Sequence, residues 1–175
     1  MNEKGMNFTV AELAAKLAVS KRCIYNHFAS KNDLVVSILD EILADLQLQV
    51  RKIAQSREME TVDKLKALMT MSPKALGPLS SRLIADVKRL VPEQWSNFEL
   101  FFDHRWQEIQ DLVEQGVQQG LFRPVDLTIL QQVYRGAINE LMEYQYLTRC
   151  NQTFHNAIVA ATDMLIYGVI AHENQ

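Results

Sequence analysis

Val10, Leu13, Ala14 and Leu17 recur at the three- and four-residue spacing that lines apolar side chains along one face of a helix. Thr9 stands immediately before them and Glu12 follows three residues later, a T-x-x-E capping box that marks a helix start. After Ala18 and Val19 comes Ser20, a second N-cap, opening a short helix with Ile24 and Phe28 at i and i+4. Ser30 with Asp33 three residues on predicts a third start and another capping box. From there Leu34, Ile38, Ile42, Leu46 and Val50 carry one inner face to about Gln55.

Thr61 opens a further helix through Val62, Leu65, Leu68 and Met69, closed near Ser72-Pro73. Gly77-Pro78 marks a turn before a helix bearing Leu79, Leu83, Val87 and Leu90. Pro92 suits the first turn of the next helix, Gly120 reads as its C′ residue, and Pro124 prevents continuation. Asp126 caps a helix to about Arg149, and a last one spans roughly Gln152 to His172. The pattern gives eight helices and no internal repeat. With only six Gly and four Pro in 175 residues, it argues against a sandwich, a barrel or a Rossmann sheet. The expected fold class is all-α, a bundle of about eight helices behind an N-terminal helix-turn-helix.

Composition narrows the class without changing it. A content of 48% hydrophobic and 22% charged residues excludes a disordered chain. The longest stretch free of Asp, Glu, Lys and Arg, Cys150 to Thr162, has 13 residues, where a spanning helix needs about 20. No apolar leader opens the sequence, and Cys23 and Cys150 stand far apart with no CxxC spacing, so a reducing cytoplasm is expected. The net charge of −3 is unevenly spread: residues 1–33 carry +2 and the remainder −5. A slightly positive segment on an acidic body fits a DNA-reading head.

Two short helices with a turn of three or four residues between them make a helix-turn-helix, held together by Leu13, Ala14, Leu17, Val19, Ile24 and Phe28. The second helix leaves Lys21, Arg22, Cys23, Tyr25, Asn26 and His27 outward. Such a face supplies cations for phosphates and amide and hydroxyl groups for base edges. On spacing alone, a solvated corner inside an ordinary bundle accounts for it equally well.

The stretch from Thr9 to Leu34, TVAELAAKLAVSKRCIYNHFASKNDL, closely resembles the head of the TetR-family transcriptional regulators, T-V-x-x-I-A-x-x-A-G-V-S-x-G-T-L-Y-x-H-F-x-S-K-x-x-L. The later segment from Gly116 to Asp126 resembles the family's G-x-F-R-x-D turn. The resemblance implies a DNA-binding head over residues 1–35 and a helical ligand-binding and dimerisation domain over 36–175. It further implies that Thr9 holds a phosphate and that Ser20 begins the reading helix. Lys21, Arg22, Cys23 and Asn26 would face base edges, while Tyr25, His27 and Lys31 would grip phosphates. Arg22 and Cys23 stand where the family often has Gly and Thr, so the base sequence read is expected to be this protein's own. Ala18 stands where Gly makes the turn. The family also carries an amphipathic helix ahead of the motif, whereas four residues precede Gly5 here. The alternative expectation is therefore a dimeric ligand-binding or protein-interaction protein that does not bind DNA.

The helix from Pro92 carries Trp95, Phe98, Phe101, Phe102, His104, Arg105 and Trp106, a spacing that serves a plain core as readily as a cavity. The family binds small-molecule effectors within this bundle, which makes Met69, Arg82, Asp86, Trp95, Phe98, Phe102, His104, Trp106, Tyr134 and Asn139 the candidate lining. Arg82 and Asp86, at i and i+4, could instead pair with each other. The last two helices are apolar on more than one face and need two surfaces to pack against. A two-fold four-helix bundle between subunits meets that need, with Leu130, Val133, Ala137, Leu141, Ala157, Ala161, Met164, Leu165 and Gly168 at the interface.

No GxSxG, HExxH, GxGxxG or Walker loop occurs. Cys23 with His27, and His104 with Glu108, are two-ligand pairs too small for a metal site. No enzyme activity, cofactor or metal is expected, and no membrane association. The expected function is a ligand-responsive regulator, a repressor, that binds a palindromic double-stranded operator as a homodimer and is released by a small-molecule effector.

Overall fold

A computed structural model describes residues 6–73, 81–141 and 153–169. Among them are eight helices: α1 (Val10–Lys16), α2 (Lys21–His27), α3 (Lys31–Gln55), α4 (Thr61–Thr70), α5 (Ser81–Leu90), α6 (Pro92–Gln118), α7 (Leu127–Leu141) and α8 (Phe154–Val169). The turn at Gly77-Pro78, the end of the helix toward Arg149, Cys150 and the chain beyond Val169 lie outside the described residues.

The helix starts follow from their caps. The Thr9 hydroxyl accepts from the Glu12 N–H at 3.1 Å while the Thr9 N–H donates to the Glu12 carboxylate at 2.7 Å, a complete capping box. Ser20 and Asp126 cap α2 and α7 by accepting alone, from Cys23 N and from Thr128 N and Ile129 N. Ser30 accepts from Asp33 N, but no reciprocal bond forms, because an Asp side chain is one methylene shorter than Glu. The box expected there is a simple cap. Thr61 opens α4 as its first residue, with Glu60 in the cap position before it.

Two ends share one geometry. At the end of α6 the Gly120 N–H reaches Val117 O and the Leu121 N–H reaches Gly116 O, with Gly120 at φ +73°, a Schellman motif. At the end of α1 the Ala18 N–H reaches Ala15 O and the Val19 N–H reaches Ala14 O, with Ala18 at φ +53°. An alanine thus holds the left-handed position that glycine takes without strain. Gly116 has a separate reason to be glycine, since a Cβ there would lie 2.1 Å from the buried Phe122 ring.

α3, about 37 Å long at 1.5 Å per residue, joins two hydrophobic clusters. Its first turns place Leu34 and Val35 with Met6, Phe8, Val10, Ala14 and Ile24 of the head, and with Val87 and Val91 from α5 and the α5–α6 junction. Its later turns place Ile42, Leu46 and Val50 in the main core with Leu65, Leu68 and Met69 of α4, Ile109 and Val113 of α6, and Ile158 and Ile166 of α8. Ile38, expected on the inner face, falls between the clusters and faces a cavity.

Leu17 and Val19 depart from expectation. They are 59% and 40% exposed rather than packed between the motif helices. α1 is only seven residues long, and both positions fall past its end, beyond the face that meets Ile24.

Candidate nucleic-acid interface and effector cavity

α2 buries one residue, Ile24, and exposes Lys21, Arg22, Cys23, Tyr25, Asn26 and His27 around it. Thr9 and Ser20, the caps of the two motif helices, are exposed on the same head. The helix therefore presents two permanent cations, an amide, a phenol and an imidazole with no apolar side chain among them except through the ring of Tyr25. Lys31 is placed differently. Its ammonium donates to the Met6 carbonyl at 2.6 Å and lies 4.4 Å from the centre of the Phe8 ring, so it faces the segment before α1.

That segment is a strap. Met6 and Phe8 are buried, and the Met6 N–H donates to the Asp86 carboxylate at 2.9 Å across eighty positions of sequence. Asp86 also accepts from Arg89 at 3.2 Å. Asp86 was expected to line the effector site; instead it anchors the strap, because on α5 its side chain turns toward the head cluster beside Val87. The side chain of Arg82 lies outside the described residues.

Behind the strap lies a cavity of about 620 Å³, within the range of roughly 300–1,000 Å³ for small-molecule sites. Seven of the expected residues line it: Met69, Trp95, Phe98, Phe102, Trp106, Tyr134 and Asn139. Trp95, Phe98 and Phe102 form one aromatic wall, with ring centres 6.3–6.5 Å apart. Trp106 stacks on Tyr134 at 6.1 Å, and the Tyr134 hydroxyl donates to the Met69 carbonyl. Burial pushes the Tyr134 phenol above its ordinary range, opposed by the positive charge of Arg105 beside it. His104 is not in the wall. It sits two residues before Trp106, about 200° round the helix, and is exposed.

The sequence reading missed Met6 and Phe8, which line the end nearest the head, and Arg105, which lines the body end with Arg135 and Gln131. Arg105 Nε and the Trp106 indole N–H are both buried without a hydrogen-bond partner. A buried donor left without an acceptor costs about 1–3 kcal/mol, so each of the two marks a place where an acceptor belongs.

On the outer side, Ile129 and Val133 of α7 and Met164 and Tyr167 of α8 are exposed apolar residues. Gly168 is open beside them, and its carbonyl accepts from Arg123 at 2.7 Å. Ala137, Ala157 and Ala161 are half-buried. Leu130, Leu141 and Leu165 are half-buried too, and all three pack against the main core. The inner face of α8 runs instead through Ile158, Thr162 and Ile166.

A profile of the family described as bacterial regulatory proteins, tetR family, matches residues 1–38. The uncharacterized HTH-type transcriptional regulator YvaF of Bacillus subtilis (strain 168) is 25% identical over 173 residues, covering 99% of this chain and 91% of the relative. The first 38 residues thus match the head of the TetR family, and nearly the whole chain is similar to an HTH-type transcriptional regulator. Its fold agrees with the ketosteroid transcriptional regulator KstR2 of Mycobacterium tuberculosis (TM-score 0.71, 20% identity, 98% of this chain and 89% of that one). It agrees also with the transcriptional regulator FadR of Bacillus subtilis, solved in complex with stearoyl-CoA (TM-score 0.57, 16% identity, 96% and 92%). The described residues of this chain are thus all-α, in the fold of these regulators. Among its described residues no helix is long and apolar enough to cross a membrane.

Proposed function

We propose that the protein is a homodimeric, effector-responsive repressor acting in the cytoplasm. Residues 1–35 would form the DNA-reading head and 36–175 the ligand-binding and dimerisation body, with α3 as the lever between them. The observation that carries the reading is α2, a seven-residue helix with one buried side chain and six exposed polar or amphipathic ones. Such a helix is built to lie against something polar, and the major groove offers phosphates for Tyr25 and His27 and base edges for Lys21, Arg22, Cys23 and Asn26. Thr9 would add a phosphate contact. Lys31, turned toward Met6, would reach the backbone only by leaving the strap.

The exposed apolar band of α7 and α8 supports a two-fold interface, since a second copy would cover Val133 and Met164 with their own counterparts. Two heads related by that axis would read the halves of a palindrome. An effector in the cavity touches both the strap and α3, so its arrival could change the spacing of the heads. A coupling of about 1–3 kcal/mol suffices. Reciprocity tests it: an effector that weakens operator binding must itself bind the operator complex more weakly by the same factor. Equal effector affinity for free and operator-bound protein would sink the model.

A further inference from the structure

We propose that the effector is an organic monocarboxylate with an extended apolar body, its carboxylate held by Arg105 and Trp106 and its far end reaching Met6 and Phe8. This rests on the effector-cavity reading above and adds the ligand's chemical class and its direction in the site.

The class follows from what the cavity lacks. Arg105 Nε and Trp106 Nε1 are buried donors on neighbouring residues, both residues line the cavity, and neither atom has a partner. A ligand seated there must bring acceptors. Arg105 makes no ion pair among the described residues. Its guanidinium is flanked by aromatic rings, 5.5 Å from the centre of Phe102 and 5.9 Å from that of Tyr134. The Tyr134 proton is committed to the Met69 carbonyl. An anion therefore meets a cation that has no ion pair among the described residues, and an indole N–H, in a mostly apolar surround where charge-assisted bonds are strong.

The number of charges follows as well. Among the described residues the other cations of the lining, Lys88 and Arg135, are exposed, and so are the carboxylates Glu99 and Asp103. Glu99 is further engaged by the Trp95 indole N–H at 2.6 Å. One shielded cation suits one negative charge; a polyphosphate group would need a cluster of them. A cationic ligand would have to displace or face Arg105.

Direction comes from the two clusters that share the wall. Tyr134 and Trp106, beside Arg105, belong to the main core, whereas Met6, Phe8, Val35 and Val87 belong to the head cluster. A carboxylate on Arg105 thus sends its apolar body toward the strap. Reach then decides response: a short ligand fills the body end only, and a long one presses on the strap that Asp86 and Lys31 hold.

The test uses straight-chain carboxylates from octanoate to hexadecanoate, below their micelle concentrations, beside the methyl ester and primary amine of each chain. Trp95 and Trp106, the only tryptophans of the chain, both line the cavity and report binding by fluorescence. Operator binding is followed in the same preparations by anisotropy. Each carboxylate is expected to bind about 10- to 100-fold tighter than its ester, with the amine weakest. Arg105→Met, checked for fold by circular dichroism, should erase the carboxylate–ester difference and leave the ester's affinity in place. Only the longer carboxylates should release the operator. Equal binding of acid and ester, an amine preference, a carboxylate preference surviving in Arg105→Met, or no probe binding at all would overturn the proposal. If ligand-free protein binds its operator while the probes fail, the regulator reading stands without the carboxylate. If ligand-free protein binds no operator, that reading fails, and the fluorescence titration still decides the ligand class.

Discussion

Asp86→Ala cuts the strap at its anchor. The substitution leaves the Met6 N–H, on a residue only 3% exposed, without its acceptor. A buried amide stranded in this way costs about 1–3 kcal/mol. Loss of the Arg89 contact adds little, because the arginine side chain is 67% exposed and such pairs are worth about 0–1 kcal/mol. A total near 2–3 kcal/mol should lower Tm by roughly 4–12 °C in a chain of this size. Asp86→Asn keeps a side-chain oxygen for Met6 and should lose less than half as much. The assay is thermal unfolding by circular dichroism at one fixed protein concentration, since a dimer's Tm depends on concentration. Hydrogen exchange then asks where stability is lost: protection should fall in α1 and α2 and persist in α4 and the second half of α6. An Asp86→Ala protein that melts with the wild type would refute the reasoning. So would an Asn variant as damaged as the Ala variant, or a loss of protection spread evenly over all helices.

Three further outcomes are expected. Ala18→Gly relieves the left-handed alanine, gaining about 1–2 kcal/mol against a glycine entropy cost of roughly 0.5–1 kcal/mol, so the head should gain about 0.5–1 kcal/mol by denaturant unfolding; a destabilised variant would contradict the strain. The folded-state pKa of Tyr134 is raised from 10.0, so its contribution to stability is complete below that value and is lost as pH rises through and beyond it. Alkaline unfolding should therefore begin above about pH 10 and be blunted in Tyr134→Phe, with an unchanged alkaline midpoint counting against it. Met164→Lys, at a site 76% exposed in one subunit, should be harmless to the fold and shift sedimentation toward monomer; an unshifted dimer would move the interface elsewhere.

Much of this molecule is legible in its sequence because caps and apolar spacing are local. Thr9 with Glu12, Ser20, Asp126 and Gly120 each do what a few neighbouring residues dictate. The aromatic wall is legible for the same reason, since Trp95, Phe98 and Phe102 recur at helical spacing. The strap is not, because Met6 and Phe8 have no periodicity and their partners Asp86 and Lys31 are fixed only by tertiary packing. Arg105 hides among aromatics, and its meaning lies in a missing partner, which no spacing reveals. His104 shares the helix of the aromatic wall, yet helix rotation turns it outward. Leu17 and Val19 fit a packed pattern yet lie past the end of the helix that would have buried them.

The most direct test of the regulator account is binding of this chain to the DNA beside its own gene, as a salt series, with wild type and Arg22→Ala side by side. The account predicts specific binding that weakens steeply as salt rises, because phosphate contacts release counterions. It predicts a loss of roughly 5- to 150-fold for Arg22→Ala on the operator, the equivalent of about 1–3 kcal/mol at a base edge, with binding to unrelated DNA changed far less. Equal affinity for operator and unrelated DNA, or an Arg22→Ala protein as specific as the wild type, would contradict it.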